Sequence, residues 1–104
     1  MPTRLEVLEM MVAKQPADPF PYYGLALEYR GTGRAEDSVA AFGRLRERFP
    51  EYVPTYLMAA QVLQSLERID EAREWCRAGI ASADRARDAH ARGELDAMLG
   101  ALGA

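Results

Sequence analysis

Residues 19–52 read PFPYYGLALEYRGTGRAEDSVAAFGRLRERFPEY, and the following 34, residues 53–86, read VPTYLMAAQVLQSLERIDEAREWCRAGIASADRA. Placed one over the other, Tyr22 meets Tyr56, Leu25 meets Ala59, Ala26 meets Ala60, Tyr29 meets Leu63 and Phe42 meets Cys76. Apolar positions fall on apolar positions and small ones on small, the signature of an internal repeat. The period extends backwards: Pro16 precedes Pro50 by 34 residues, and Leu8 precedes Phe42 by the same interval.

Within each unit the pattern predicts two helices. Tyr22, Leu25, Ala26 and Tyr29 recur at i, i+3, i+4 and i+7, one face of a helix. Asp18 before Pro19 suits an N-cap followed by proline at the first helical position. Gly31 and Gly33 mark the end of that helix, since glycine takes the left-handed conformation at little cost. A second helix over about Ala35–Arg48 carries Val39, Phe42 and Leu45 inward, and Pro50 closes it. In the second unit Pro54 opens a helix whose inner stripe is Tyr56, Ala59, Ala60 and Leu63, and Ile69, Ala72, Cys76 and Ile80 mark its mate. The intervening turn, residues 65–68, lacks glycine.

The ends read as half-units. Thr3-Arg4-Leu5-Glu6 has the form of a capping box, opening a helix with Leu5, Leu8, Met11 and Val12 on one side. A last helix runs from about Arg87 to Leu102. The expectation is therefore one all-α domain over residues 1–104: an N-terminal helix (1–18), repeat 1 (19–52), repeat 2 (53–86) and a C-terminal capping helix (87–104), six helices in all.

Composition agrees with a folded helical domain. Of 104 residues, 49% are hydrophobic and 28% charged, which is globular rather than disordered. A net charge of −3 argues against a nucleic-acid footprint. No run approaches the roughly 18 apolar residues of a membrane span. The start, MPTRLEVLEMMVAKQ, carries Glu6 and Glu9 and no long apolar core, so it does not read as a signal peptide. A single cysteine, Cys76, forms no internal disulfide, and a reducing, cytoplasmic setting is the expectation.

The pattern resembles the tetratricopeptide repeat, whose frame is W-x2-L-G-x2-Y, then A-x3-F, then P. The first unit supplies Tyr22-x2-Leu25-Ala26-x2-Tyr29, then Ser38-x3-Phe42, then Pro50. The second supplies Tyr56-x2-Ala59-Ala60-x2-Leu63, then Ala72-x3-Cys76, with Asp84 where the closing proline would stand. The resemblance implies an α-solenoid of antiparallel helix pairs that works as a protein-interaction module or adaptor rather than as an enzyme. It also implies a concave groove lined by the first helix of each pair. Tyr23, Leu27 and Arg30 would face it from the first unit, and Leu57, Met58, Gln61 and Gln64 from the second. Ala91, Leu95 and Met98 would follow from the last helix if the register continues. The apolar members would supply pockets, and Arg30 and the glutamines would bond a peptide backbone. The Lys/Asn/Arg clamp with which some members of the family hold a C-terminal carboxylate is absent, because Tyr23, Leu27 and Met58 occupy positions where its polar residues would be expected.

Two alternatives stay open in the sequence. The named groove residues could instead cover the terminal helices and one another. Leu95, Met98, Leu99 and Leu102 also form a stripe, whereas a strict 34-residue register turns His90, Gly93 and Ala97 inward. The stripe is either buried by a register slip after Asp84 or exposed, where it could dock a further repeat or a second copy and so build a homo-oligomer.

Catalytic and metal chemistry find little support. His90 is the only histidine and has no second ligand at metal spacing; it reads as the stacking residue of its helix. Cys76 sits on an apolar face and reads as an inert buried thiol. Glu36–Asp37 and Asp70–Glu71 lie at helix starts, where they complement the helix dipole. Gly31-Thr32-Gly33 is not followed by Gly-Lys-Ser/Thr and is a turn, not a phosphate loop. Arg44, Arg46 and Arg48 read as a solvated face. No cofactor is expected.

Overall fold

We read the fold from a computed structural model whose described residues are 1–103. Among them, six helices and no strand form: α1 (Arg4–Lys14), α2 (Pro19–Gly31), α3 (Ala35–Arg48), α4 (Pro54–Ser65), α5 (Ile69–Ala86) and α6 (Ala89–Ala101). The chain divides into two compact units, Met1–Phe49 with α1–α3, and a second from Pro50 onward with α4–α6.

Local sequence dictates the helix starts. The Thr3 hydroxyl accepts from the Glu6 N–H at 3.1 Å, and the Glu6 carboxylate accepts from the Thr3 N–H at 3.1 Å, completing the capping box of α1. The Thr3 N–H, then the Thr3 hydroxyl, hold the Glu6 carboxyl below its usual range. Because that pKa is depressed, the box contributes above the unfolded pKa of Glu6 and is lost as pH falls through the folded one. Acidification should therefore fray α1 first, seen as early loss of amide protection at residues 6–8, and Thr3→Ala should abolish that acid dependence. Asp18 caps α2 by accepting from the Phe20 N–H at 3.0 Å, with Pro19 at the first helical position.

In each unit a three-residue connection, residues 32–34 or 66–68, turns the chain so that the paired helices run antiparallel. Both turns use the same hydrogen bonds. Arg34 N donates to Tyr29 O at 2.8 Å and Gly33 N to Arg30 O at 3.2 Å; Arg68 N donates to Leu63 O and Glu67 N to Gln64 O, each at 2.9 Å. This is the six-residue helix-ending motif that needs a left-handed residue after the cap. Gly33 fills that position at φ +78°, and Glu67, 34 residues on, fills it at φ +60°. Glutamate is strained there by about 1–2 kcal/mol. Glu67→Gly should relieve that strain against the larger unfolded-state entropy of glycine, for a net gain of roughly 0.5–1 kcal/mol in urea denaturation.

The repeat is visible in the packing of each unit. In the first, Leu8, Tyr22, Leu25, Ala26, Tyr29, Ala41, Phe42 and Leu45 are buried, and the Tyr22 hydroxyl donates to Pro16 O at 3.4 Å. The Ser38 hydroxyl donates to Ala26 O at 2.8 Å, tying α3 to α2. In the second, Tyr56, Ala59, Ala60, Val62, Leu63, Ala72, Cys76 and Ala83 are buried, and the Tyr56 hydroxyl donates to Pro50 O at 2.6 Å. Tyr22–Pro16 and Tyr56–Pro50 are the same bond one period apart.

The last helix departs from the strict period. Pro50 ends α3 at Arg48, whose counterpart 34 residues on is Ser82; with Asp84 in place of the proline, α5 continues to Ala86, about one turn further. The extra turn ends at Arg87 in the left-handed conformation, φ +56°. α6 buries Leu95 and Leu102 and half-buries Met98 and Leu99, while His90, Gly93 and Ala97 face solvent. The leucine stripe is core, not an exposed dock for a second copy. His90 is likewise corrected: it stacks in no core but lies on the surface beside Glu94, 3.3 Å away.

Candidate functional site

The first helices carry the residues expected to meet a partner. On α2, Tyr23, Leu27 and Arg30 recur at i, i+4 and i+7; Tyr23 and Leu27 are half-buried and Arg30 is exposed. Tyr23 leans edge-on to Phe42 with ring centroids 6.3 Å apart, so its ring is fixed from below by the core of its own unit. On α4, Leu57, Met58, Gln61 and Gln64 share one side; the first three are half-buried and Gln64 is exposed. Leu57 packs against the cluster of Val53, Tyr56, Ala83 and Leu95, with Ala91 beside it.

The expectation for Leu95 is corrected. At 1% exposure it belongs to that cluster and offers no surface to a partner. Met98, on the same side, is half-buried.

Exposed large apolar side chains lie elsewhere. Val7, Met10 and Met11 on α1 and Phe20 at the start of α2 are exposed, Phe20 by 63%. The sequence puts Leu5, Leu8, Met11 and Val12 on one side of α1; of these only Leu8 is buried, Leu5 and Val12 are half-buried, and Met11 lies at the solvent edge. Comparison with the other second helices was the available signal: the counterparts of Val7 and Met11 are Ala41 and Leu45 in α3, both buried.

The remaining chemistry is structural. Arg34 lies over the Tyr29 ring at 4.6 Å and Arg48 over the Tyr22 ring at 5.8 Å, so two of the arginines are cation–π covers for the repeat tyrosines. Burial pushes the Cys76 thiol up, with Arg77 only partly opposing it. The thiolate fraction is correspondingly low, and a disulfide reagent should leave Cys76 unmodified in the native protein and label it once urea unfolds the chain. Among the described residues no group of three His, Cys, Asp or Glu could hold a metal ion, and no helix is long and apolar enough to cross a membrane.

Solved structures place this architecture. The solution NMR structure of a tetratricopeptide repeat domain protein from Salinibacter ruber aligns at TM-score 0.78 and 31% identity, over 84% of this chain and 88% of that one. A crystal structure of a tetratricopeptide repeat domain protein from the same organism aligns at TM-score 0.77 and 30% identity, over 83% of this chain and 96% of that one. The chain belongs to the tetratricopeptide-repeat family. No family model and no curated protein matches it. For a tetratricopeptide-repeat domain the helix pairs, the small residues Ala26, Ala59 and Ala60 in their seams and the aromatic bonds to Pro16 and Pro50 are the architecture itself. The general role that goes with it is protein–protein interaction.

Proposed function

We propose that this tetratricopeptide-repeat domain is a non-catalytic adaptor that binds a peptide segment of a partner protein through its first helices. The observation that carries the reading is the make-up of one side of α2 and of α4. On α2, half-buried Tyr23 is anchored on Phe42 and half-buried Leu27 keeps accessible surface, with exposed Arg30 on the same side; on α4, half-buried Leu57 is anchored on the Val53–Leu95 cluster and half-buried Met58 keeps accessible surface, with Gln61 and Gln64 on the same side. Preorganised apolar groups with flanking donors and acceptors suit an extended or helical peptide. Met98 extends the apolar set on α6. Repeat units over residues 19–52 and 53–86 within one domain, and a reducing, cytoplasmic setting for the lone thiol, accord with the same reading.

The test is affinity capture from native lysate with identification by mass spectrometry. Arg30 and Gln64 are exposed, so Arg30→Ala with Gln64→Ala should leave helicity and the melting midpoint unchanged while reducing recovery of a discrete partner at least about tenfold, the loss of two interfacial polar contacts. Equal recovery by wild type and double variant would move the binding face away from the first helices.

A further inference from the structure

Among the six described helices, α4 alone carries no Asp, Glu, Lys, Arg or His, and residues 52–66 as a whole contain none. At the 28% charged content of the chain, a helix of 12 residues would hold about three. Burial accounts for the core side, which holds Tyr56, Ala59, Ala60 and Leu63. It does not account for the outward side, where Gln64 and Ser65 are exposed and Leu57, Met58 and Gln61 half-buried. The outward side of a surface helix ordinarily carries charge. Nor does the composition come with being a first helix: α2 has Glu28 and Arg30, and α6 has Arg92, Glu94 and Asp96.

We infer that the α4 surface of the second unit takes an uncharged, apolar peptide segment of the partner in extended form. The inference rests on α4 being a partner-binding surface, as proposed above, and adds the chemical class of what it binds. Charge is depleted at the dry centre of an interface, where large apolar groups are kept, and belongs to its rim. Glu51 and Glu67, both exposed, stand beyond the two ends of the helix. Between them Leu57, fixed against the Val53–Leu95 cluster, and the adaptable Met58 offer contact to apolar side chains. A glutamine amide donates and accepts without charge, the same two functions a peptide group has. Gln61 and Gln64 are three residues apart on the helix, so their Cβ atoms are separated by about 5–6 Å. That is close to the ~6.5 Å between peptide groups facing the same way in an extended strand, so both amides can serve one extended segment. A carboxylate or ammonium placed on this surface would lose water and gain no counter-charge, which rejects charged segments.

Selection from a phage-displayed library of random linear peptides on the intact chain tests the inference. Enriched peptides should share an apolar stretch free of Asp, Glu, Lys and Arg. A synthetic copy of one, with blocked termini, should bind with a Kd that changes less than about twofold between ~50 mM and ~500 mM salt, since no ion pair is there to be screened. Gln61→Glu is nearly isosteric and should keep the circular dichroism of the wild type, yet weaken that peptide by roughly tenfold or more. Selection repeated on Gln61→Glu should turn to peptides carrying Lys or Arg. Wild-type enrichment of peptides with a charged residue at a shared position, or binding that falls steeply with salt, overturns the uncharged class and leaves the adaptor reading standing. Uncharged peptides that Gln61→Glu binds as tightly as wild type overturn the placement on α4. Absence of any enrichment over a support without the protein overturns this inference and the adaptor reading together.

Discussion

Leu95→Ala should cost about 2–5 kcal/mol, a large part of the total stability of a domain this size. Leu95 is buried at 1% against Val53, Tyr56 and Ala83, and both of its methyl groups reach within 3.0 Å of where a Gly79 side chain would begin. Truncation leaves a void lined by the Tyr56 ring and the backbone of α5, neither of which can collapse into it. The helix has two other ties to its unit. Leu102 is buried, and Arg73 donates to Leu102 O at 2.8 Å while its other terminal nitrogen donates to Asp70 at 2.6 Å. These hold the far end, so the loss should appear as detachment of the α6 N-terminal half before global unfolding. Urea denaturation gives the total, and amide exchange over residues 91–97 gives the order of events. A midpoint change equivalent to less than about 0.5 kcal/mol, the range of surface substitutions, accompanied by weaker partner capture, would restore Leu95 to a binding surface. Met98→Ala, at a half-buried site, should fall well below the Leu95→Ala value.

The difference between Leu95 and its neighbours shows which features of this chain a sequence displays. The period, the helix pairs and the inner stripe Tyr22, Leu25, Ala26 and Tyr29 were legible because each repeat restates them and because each stripe faces its own partner helix. The capping box at Thr3 and the cap at Asp18 were legible because they are local chemistry. The face of α6 was not, since it depends on the tertiary packing of Leu95 against Val53, Tyr56 and Ala83, which no local signal around Asp84 displays. Glu67 was not, since its left-handed conformation is imposed by the helix-ending bonds of its neighbours and not by its own preference. Amphipathicity in α1 identified an apolar side but not how much of it is covered: of Leu5, Leu8, Met11 and Val12 only Leu8 is buried. The candidate binding positions on α2 and α4 were named from the repeat frame. The anchoring of two of the apolar groups required the packing of Tyr23 on Phe42 and of Leu57 on the Val53–Leu95 cluster.

Gly79→Ala should destabilise the second unit by roughly 2–3 kcal/mol even though alanine is the better helix former by about 1 kcal/mol. The new methyl would sit 2.5 Å from Tyr56 Cβ and 3.0 Å from both terminal methyls of Leu95. Leu95 can rotate, but Tyr56 Cβ is fixed to the α4 backbone, so relief requires α4 and α5 to separate. That separation strains the Tyr56 hydroxyl bond to Pro50 O, 2.6 Å, and the Ser82 bond to the same carbonyl, 3.0 Å. It also opens the Tyr56–Trp75 ring contact. Gly24 provides the control: a methyl there would meet only Leu8 Cδ2, at 3.1 Å, the tip of a flexible chain. Gly24→Ala should therefore stay within about 1 kcal/mol of wild type, steric cost and helix gain nearly cancelling. Gly43→Ala, with nothing within 4 Å, should stabilise by up to about 1 kcal/mol. The order Gly43→Ala, Gly24→Ala, Gly79→Ala in falling urea midpoint follows from close approach alone, because all three are interior helix positions. A Gly79→Ala protein as stable as Gly24→Ala would mean that α4 and α5 are not in contact at Tyr56.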